Sequence, residues 1–248
     1  MITGSLAPFF DPKHVVFFGA SRSPGRLGYV LAHNLVSHGY RGTVSFVNPN
    51  GGVLFDRPLY TSLDAVPESP DLAVLLIPAA LIPETLDACG RRGIRAAVVA
   101  SGGFSETGEA GRILETEIRT VLDRHGMRLV GPNCIGVMDS SSGLDTSFLS
   151  GEGVLAGPVA FVSQSGAVCA AVVEWARGDG FGLSRLFSLG NQVDVSETDV
   201  LGAVGSDDHT RVVTLYLEGV DDGRRFVSVA SEVSKHKPVI ALKVGKTE

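Results

Sequence analysis

The fold is decided by the stretch HVVFFGASRSPGRLGYVLAHNLVSHGYRGTVSFVNPN, residues 14–50. An apolar run of strand length (14–18) leads into a glycine-containing turn, and a segment with helical spacing of its apolar residues (25–38) follows. A second apolar run (43–47) completes the unit. A strand, a helix and a second strand in this order predict a right-handed βαβ unit in a parallel sheet.

The alternation continues along the first half of the chain. Further elements are predicted as follows: strands at 72–77, 96–100 and 127–130, and helices at 82–92 and 108–125. Strands that are apolar throughout are typical of a parallel sheet covered on both faces. We therefore predict an α/β fold whose first domain, residues 1–140, is Rossmann-like with a doubly wound parallel sheet.

A stretch rich in serine and glycine, residues 139–157, is interpreted as a domain connection with a long loop. A second alternation follows it, with strands predicted at 159–162, 186–188, 212–217 and 239–244, and helices at 166–177, 198–204 and 224–234. The pattern predicts a flavodoxin-like domain over residues 155–248, again with a parallel sheet. Because such sheets usually cover their last strand with a helix, we expect this domain to be truncated at its C-terminus.

Composition excludes several classes of protein. Hydrophobic residues make up 44% and charged residues 19% of the 248 residues, which is typical of a globular protein. The net charge of −6 and the lack of a basic stripe argue against nucleic-acid binding. Three widely spaced cysteines argue against a disulfide framework and against a metal site, and favour a cytoplasmic location. The sequence shows neither a signal-peptide pattern nor an apolar run of the ~18 residues that a membrane span needs.

The glycine turn after the first strand is the first candidate binding site. Gly19, Gly25 and Gly28 allow the backbone to approach a phosphate closely, and the N-terminus of the following helix supplies free N–H groups. The spacing differs from GxGxxG, and Asn48 and Pro49 stand where a dinucleotide-binding protein carries an acidic residue. The turn therefore favours phosphate binding over a plain turn and weakens the alternative of an NAD(P)-dependent oxidoreductase.

Three later positions are also candidates. Cys134 follows a predicted strand, but no histidine or acid is paired with it in sequence, so a wall residue is favoured over a nucleophile. Ser163, Ser165 and Gly166 occupy a strand–turn–helix junction, which favours an anion site over a simple helix cap or a GxSxG nucleophile elbow. Glu218 ends an apolar strand, where a carboxylate is either solvated or orients a histidine.

Taken together, the motifs resemble one family, the ADP-forming acyl-CoA synthetases, which are related to the α subunit of succinyl-CoA synthetase. The resemblance covers nearly the whole chain and rests on the order and spacing of FFDPKHVVFFGAS, FVNPN, DLAVLLIPA, SGGFSETG, MRLVGPNCIGV, VAFVSQSGA, FSLGNQVDV, YLEGV and KPVIALKVGKTE. It implies an acid–thiol ligase that reversibly joins a carboxylic acid to coenzyme A (CoA) with conversion of ATP to ADP and phosphate.

The resemblance also implies roles for individual residues. It implies that CoA is bound by Ser21, Arg22, Gly25 and Gly28 at the phosphates, Asn48 and Pro49 beside the nucleotide, Ile77, Pro78 and Ala79 along the adenine or pantetheine, Ser101, Gly102 and Phe104 farther along, and Asn133 and Cys134 near the thiol. It further implies that the phosphate of a phosphohistidine is held by Ser163, Ser165 and Gly166, and that the histidine is oriented by Glu218.

In this family the phosphorylated histidine lies in a Ser-His-Thr-Gly loop after the KxG strand, and this sequence ends before that loop. The chain is therefore expected to bind CoA without completing the ligase cycle. ATP or ADP with Mg²⁺ is expected at a partner ATP-grasp domain or β subunit, and hence an oligomer is expected. The alternative is a CoA-binding regulatory module, for example of a protein acetyltransferase.

Overall fold

A computed structural model describes residues 6–245 of the chain. The strands form two sheets, one from each half of the chain, and helices connect most of the parallel strands. The alternation of strands and helices thus produces the predicted α/β class. Residues 246–248, the end of the KPVIALKVGKTE segment, lie outside the described residues.

The first sheet has seven strands. They are β1 (His14–Phe18), β2 (Thr43–Val47), β3 (Gly52–Leu54), β4 (Arg57–Tyr60), β5 (Leu72–Leu75), β6 (Ala96–Val99) and β7 (Arg128–Val130). The helices between them are α1 (Leu27–Ser37), α2 (Ile82–Arg91) and α3 (Glu109–His125). The spatial order is β3-β4-β2-β1-β5-β6-β7, and every neighbouring pair is parallel except β3 and β4.

The β3–β4 hairpin was not predicted from the sequence. Its two central residues, Phe55 and Asp56, have φ angles of 51° and 58°. Two successive residues in the left-handed region are typical of a type I′ turn, which usually contains Asn-Gly or Asp-Gly. Because Phe-Asp lacks that signature, and because both strands are short and partly exposed, the local pattern carried no hairpin signal.

The second sheet has six strands. They are β8 (Val137–Asp139), β9 (Leu144–Asp145), β10 (Ala156–Ser163), β11 (Leu183–Ser188), β12 (Val212–Leu217) and β13 (Val239–Lys243). The helices are α4 (Gly166–Asp179), α5 (Glu197–Gly205) and α6 (Gly223–Ser234). The spatial order is β13-β12-β10-β11-β8-β9; β10 to β13 pair in parallel, whereas β8 and β9 are antiparallel.

The interpretation of residues 139–157 as a loop is wrong for its first part. Strand β8 pairs with β11, and β9 pairs with β8, so the chain joins the second sheet before the stretch ends. Both strands are short, and their stability comes from partners far along the sequence, which a local pattern does not reveal. The described chain is therefore two mostly parallel sheets with antiparallel strands at one edge of each.

One buried cluster contains side chains of both sheets. Phe17 of β1 and Val74 of β5 belong to the same cluster as Phe187 of β11 and Val213 of β12. Two further clusters cover the other faces of the two sheets. Successive side chains of a strand point to opposite faces, so strands such as β1, buried at all five residues, need apolar cover on both sides.

Each sheet has a point where its strand order reverses. In the first sheet, β2 lies on one side of β1 and the later β5 lies on the other. In the second sheet, β11 and β12 lie on opposite sides of β10. Ligands of open α/β sheets bind outside the carboxyl ends of the strands at such points. The turns after β1 and β10 both lie there.

Candidate functional site

The glycine turn after β1 is closely packed. A side chain at Gly19 would lie 2.1 Å from the carbonyl oxygen of Leu76, and one at Gly28 would lie 2.1 Å from that of Gly19. Helix α1 therefore approaches the turn more closely than any residue with a Cβ allows. Its N-cap residue, Arg26, makes no side-chain capping hydrogen bond to the first N–H groups of α1. This end of the helix can accept an anion.

Four predicted CoA residues hold or flank this turn. The Ser21 hydroxyl accepts a hydrogen bond from the Ser23 amide (3.1 Å). The Asn48 side chain donates to the Ala20 carbonyl oxygen (2.7 Å) and accepts from the Asn50 amide (2.9 Å). Because both groups of its amide are used, Asn48 shapes the turn. Arg22 is exposed, so its side chain can reach a phosphate. Pro49, which follows Asn48, is also exposed.

The loops after β5 and β6 are joined by one serine. The Ser101 hydroxyl accepts from the Ile77 amide (3.0 Å) and donates to the Ile77 carbonyl oxygen (2.6 Å), and it is buried. The Phe104 side chain is fully buried. For Ser101 and Phe104, contact with a ligand would involve the backbone. Among the other residues predicted to line the CoA path in these two loops, Pro78 and Gly102 are exposed, and Ile77 and Ala79 are partly exposed.

Cys134 faces the core. Its thiol donates to the Val99 carbonyl oxygen (3.4 Å), and burial raises the pKa of the thiol to about 12. A thiol is nucleophilic as the thiolate, so this environment disfavours catalysis and agrees with a wall residue. Cys89 and Cys169 are also free and buried. Within residues 6–245, no group of three or more His, Cys, Asp or Glu side chains could hold a metal ion.

The turn after β10 exposes backbone amides. The buried Ser163 hydroxyl accepts from the Ser165 amide (3.0 Å) and donates to its carbonyl oxygen (2.9 Å), which fixes the turn. The Ser165 hydroxyl caps α4 by accepting from the Val168 amide (3.5 Å). Among residues 6–245, no group accepts a hydrogen bond from the amides of Gly166 and Ala167. The positive end of the α4 dipole and two free N–H groups at this turn can therefore accept an anion.

Glu218 lies beside the turn after β10. Ser163, the last residue of β10, pairs with Tyr216 of the neighbouring β12, and Glu218 directly follows the end of β12. Its side chain is exposed, and no described residue within 6–245 forms a hydrogen bond or ion pair with its carboxylate. A carboxylate without a partner at the end of an apolar strand can orient an incoming donor.

Sequence reasoning missed Gln164, which connects the two strand ends. Its side-chain oxygen accepts from the amides of Glu218 and Gly219, and its nitrogen donates to the Gly219 carbonyl oxygen (2.8 Å). The nitrogen also lies 3.4 Å from the carboxylate of the buried Glu197. The available signal was its place in the serine turn directly after a buried strand.

Asn191 was missed as well. It follows β11, and its backbone amide donates to the Pro132 carbonyl oxygen (2.9 Å). Its side chain contacts Asn133 and Glu106 of the first half of the chain. The loops after β7 and β11 are therefore held together, which places Asn133 of the first site next to the second half of the chain.

Between residues 6 and 245, no helix is long and apolar enough to cross a membrane.

Two family models match the chain. A CoA binding domain matches residues 13–140, and a succinyl-CoA ligase like flavodoxin domain matches residues 156–248. The first match contains the glycine turn and Asn133, and the second contains the serine turn and Glu218. These matches confirm the resemblance to the ADP-forming acyl-CoA synthetases that the sequence motifs indicated.

Curated relatives agree with these matches. The chain is 40% identical over 248 residues to the acetate–CoA ligase (ADP-forming) I subunit alpha of Pyrococcus furiosus, covering 98% of this chain and 54% of that protein. It is 37% identical to the 4-hydroxybutyrate–CoA ligase (ADP-forming) of Nitrosopumilus maritimus, covering 97% of this chain and 35% of that protein. The chain thus spans about half or less of the length of these relatives.

A solved structure agrees with the fold. The dinucleotide forming acetyl-coenzyme A synthetase 1 of Candidatus Korarchaeum cryptofilum, in complex with phosphate and ADP, matches with a TM-score of 0.92 and 36% identity, over 98% of this chain and 52% of that one. At this identity and coverage the likeness extends to the family as well as the fold. The chain belongs to the ADP-forming acyl-CoA synthetase family, as an α-subunit-like chain with a CoA-binding domain followed by a succinyl-CoA ligase-like flavodoxin domain.

Proposed function

We propose that this chain binds CoA at the turn after β1 and a phosphoryl group at the turn after β10, as part of an enzyme that converts a small carboxylic acid, CoA and ATP reversibly to acyl-CoA, ADP and phosphate. The observation that carries the proposal is the position of both turns at the strand-order reversals of their sheets. The loops after β7 and β11 then bring the thiol end of one site towards the other. The domain limits proposed for the two parts are 1–140 and 155–248.

The first site fits CoA because its cradle has no room for side chains. Gly19 and Gly28 allow backbone and helix to meet, and the uncapped α1 N-terminus can face a phosphate. The CoA-binding residues proposed are the phosphate group Ser21, Arg22, Gly25 and Gly28, then Asn48 and Pro49, then Ile77, Pro78 and Ala79, then Ser101, Gly102 and Phe104, and finally Asn133 and Cys134. Of these, Ser101, Phe104 and Cys134 would contribute backbone or shape, because their side chains face inward.

The second site fits a phosphoryl group. The free amides of Gly166 and Ala167 and the α4 dipole stabilise negative charge without a metal ion, and Ser163 and Ser165 hold the turn that presents them. The proposed role of Glu218 is to accept a hydrogen bond from the imidazole of a phosphohistidine supplied by the complete enzyme. Such a bond fixes the tautomer and leaves the other ring nitrogen for the phosphoryl group.

ATP or ADP with Mg²⁺ is proposed to bind outside this chain, at an ATP-grasp domain or β subunit. Support comes from the Pyrococcus furiosus relative, which is named as an α subunit, and from the Korarchaeum structure, which contains ADP. The second candidate function is a CoA-binding regulatory module. It is favoured by one observation, that the cradle at Gly19 and Gly28 is built from the first sheet without the second.

Binding and phosphorylation test these proposals separately. Calorimetric titration of the chain with CoA and with NAD should show binding of CoA; binding of NAD without CoA would contradict the first site.

In the complete synthetase, Glu218→Gln should abolish phosphoenzyme formation and spare CoA binding. Glu232→Gln, an exposed exchange on α6, is the matched control and should change neither. Unchanged phosphorylation in Glu218→Gln would refute its role, and a CoA-binding complex that is never phosphorylated would favour the regulatory module.

A further inference from the structure

The loop after β11 delivers one side chain to the proposed thiol end of the CoA site. The Asn191 and Val193 amides donate to the carbonyl oxygens of Pro132 (2.9 Å) and Gly131 (3.1 Å). A Cβ at the preceding Gly190 would lie 2.1 Å from the Pro132 carbonyl oxygen, so the two backbones are in direct contact. The position of Asn191 is therefore determined by the backbone of both halves of the chain.

Two carboxylates determine how the Asn191 amide is oriented. Its nitrogen lies 2.6 Å from a carboxylate oxygen of Glu106 and 2.8 Å from one of Glu115. An ionised carboxylate only accepts hydrogen bonds, so the amide nitrogen must face both groups. Burial acts to raise the pKa of Glu106, but hydrogen bonds from Asn191 and from the Phe104 and Gly103 amides outweigh it and keep the pKa below its usual range.

This orientation passes to Asn133. With its nitrogen facing the carboxylates, Asn191 presents its oxygen to Asn133, whose nitrogen lies 3.2 Å away and must donate. The Asn133 oxygen is then turned away and accepts no hydrogen bond from residues 6–245. A Cβ at Gly102 would lie 3.2 Å from this oxygen, so the absence of a side chain there keeps the oxygen accessible.

We propose that Asn191 is a positioning residue for CoA: it turns the Asn133 side-chain oxygen outward to accept a hydrogen bond from the thiol or the nearest amide of the pantetheine arm. The inference rests on the proposed function, which places Asn133 at the thiol end of CoA. No proton is transferred; the acceptor holds the donor in place. Since Glu106 and Glu115 belong to the first half and Asn191 to the second, the thiol end is oriented only when the two halves are packed together.

The test compares CoA with adenosine 3′,5′-bisphosphate, which lacks the pantetheine arm. In Asn191→Asp, a carboxylate would oppose Glu106 and Glu115, and the orientation of Asn133 would be lost. Titration calorimetry should show about a tenfold loss of CoA affinity. The affinity for adenosine 3′,5′-bisphosphate should stay within about twofold, because its site lies at the glycine turn. Asn191→Ala, which adds no charge, should lose CoA affinity several-fold in the same selective way.

A reversal and a control complete the experiment. Adding Glu106→Gln to Asn191→Asp gives the aspartate a donor to face, so CoA affinity should recover in part. Ser105→Ala, which removes a neutral contact of Asn191 (3.1 Å), should have no effect, because the carboxylates remain. Equal loss of both ligands, or loss of neither, would overturn the positioning role. Failure of the unmodified chain to bind either ligand would instead overturn the proposed function, and the positioning role with it.

Discussion

His38, the residue that follows α1, lies between two acceptors from the second half of the chain. Its Nδ1 is 2.8 Å from a carboxylate oxygen of Asp145, and its Nε2 is 3.2 Å from the Gly151 carbonyl oxygen. Both ring nitrogens can be satisfied together only if both carry hydrogen. The hydrogen bond to Asp145 raises the pKa of His38, against opposing effects of burial and of Arg177. The charged imidazole therefore stabilises the contact between the halves.

The pH dependence of stability should reveal this contact. Because the folded-state pKa lies above the ordinary value of 6.5, the stabilisation is complete below pH 6.5 and is lost as the pH rises through the folded-state pKa. His38→Gln should lower the free energy of unfolding by about 1–2 kcal/mol near pH 6 and by less near pH 9. Urea unfolding across this range measures the difference. His209→Gln, at an exposed position, is the control. Equal losses at both pH values in His38→Gln would contradict the assignment.

Gly28 tests the close approach at the glycine turn. Gly28→Ala places a Cβ 2.1 Å from the Gly19 carbonyl oxygen, so α1 must move away from the turn. We expect a loss of about 1–3 kcal/mol in stability together with loss of CoA binding, measured by thermal unfolding and calorimetry. Gly178→Ala is the matched control, since this helical glycine in α4 has open space around it and should gain about 0.5–1 kcal/mol. Tight CoA binding by Gly28→Ala would contradict the cradle.

At the scale of elements, α5 begins with a reciprocal cap beside the second site. The Ser196 hydroxyl accepts from the Asp199 amide (3.3 Å), and the Asp199 carboxylate accepts from the Ser196 amide (3.1 Å). Two amides that a helix leaves unpaired are thereby satisfied. The cap fixes the first turn of α5, which contains Glu197. Glu197 contacts Gln164, and Gln164 in turn accepts a hydrogen bond from the Glu218 amide, so the start of α5 is linked to the Glu218 loop.

Removing the cap should weaken α5 without touching the core. Ser196→Ala is expected to lower the free energy of unfolding by about 1 kcal/mol, because the amide at the helix start loses its acceptor. Chemical denaturation measures this loss. Ser206→Ala at the other end of α5 is the control: its hydroxyl donates to the Gly202 carbonyl oxygen on an exposed surface and should contribute little. Similar effects of both variants would argue against a specific role of the cap.

At the scale of the whole molecule, the shared core predicts one cooperative unfolding unit. Phe10, before β1, packs on Phe187 of the second sheet with ring centroids 5.2 Å apart, and both belong to the cluster that contains side chains of both sheets. Losing one sheet would expose the buried face of the other. The two proposed domains should therefore unfold together.

Native-state hydrogen exchange tests this cooperativity. The slowest amides of β5 and β6 should report the same free energy as those of β10 and β11. Phe10→Ala should lower both values equally, by about 3–5 kcal/mol, because it leaves a cavity between the sheets. Val53→Ala, at an exposed position of the β3–β4 hairpin, should change neither. Different free energies for the two sheets would show that they unfold independently.

The sequence predicted what depends on neighbours along the chain. Apolar periodicity located β1, β2 and β12 at their observed bounds. Turn chemistry located the glycine turn before α1 and the serine turn before α4, because a glycine or a capping serine acts on its own few residues. The short strands β8 and β9 escaped this reasoning, because their hydrogen-bond partners lie elsewhere in the sequence.

Tertiary structure decided the rest of the candidate site. Gln164 reaches Gly219 across 55 positions, and Asn191 reaches Asn133 across 58. No local pattern encodes such pairs, since they depend on the order of strands in each sheet and on which loops then meet at the carboxyl ends. The sequence by itself determined the α/β class, the family and the positions of the glycine turn and the serine turn. Packing of the two sheets on a common core determined which side chains contact Asn133 and the backbone of Glu218.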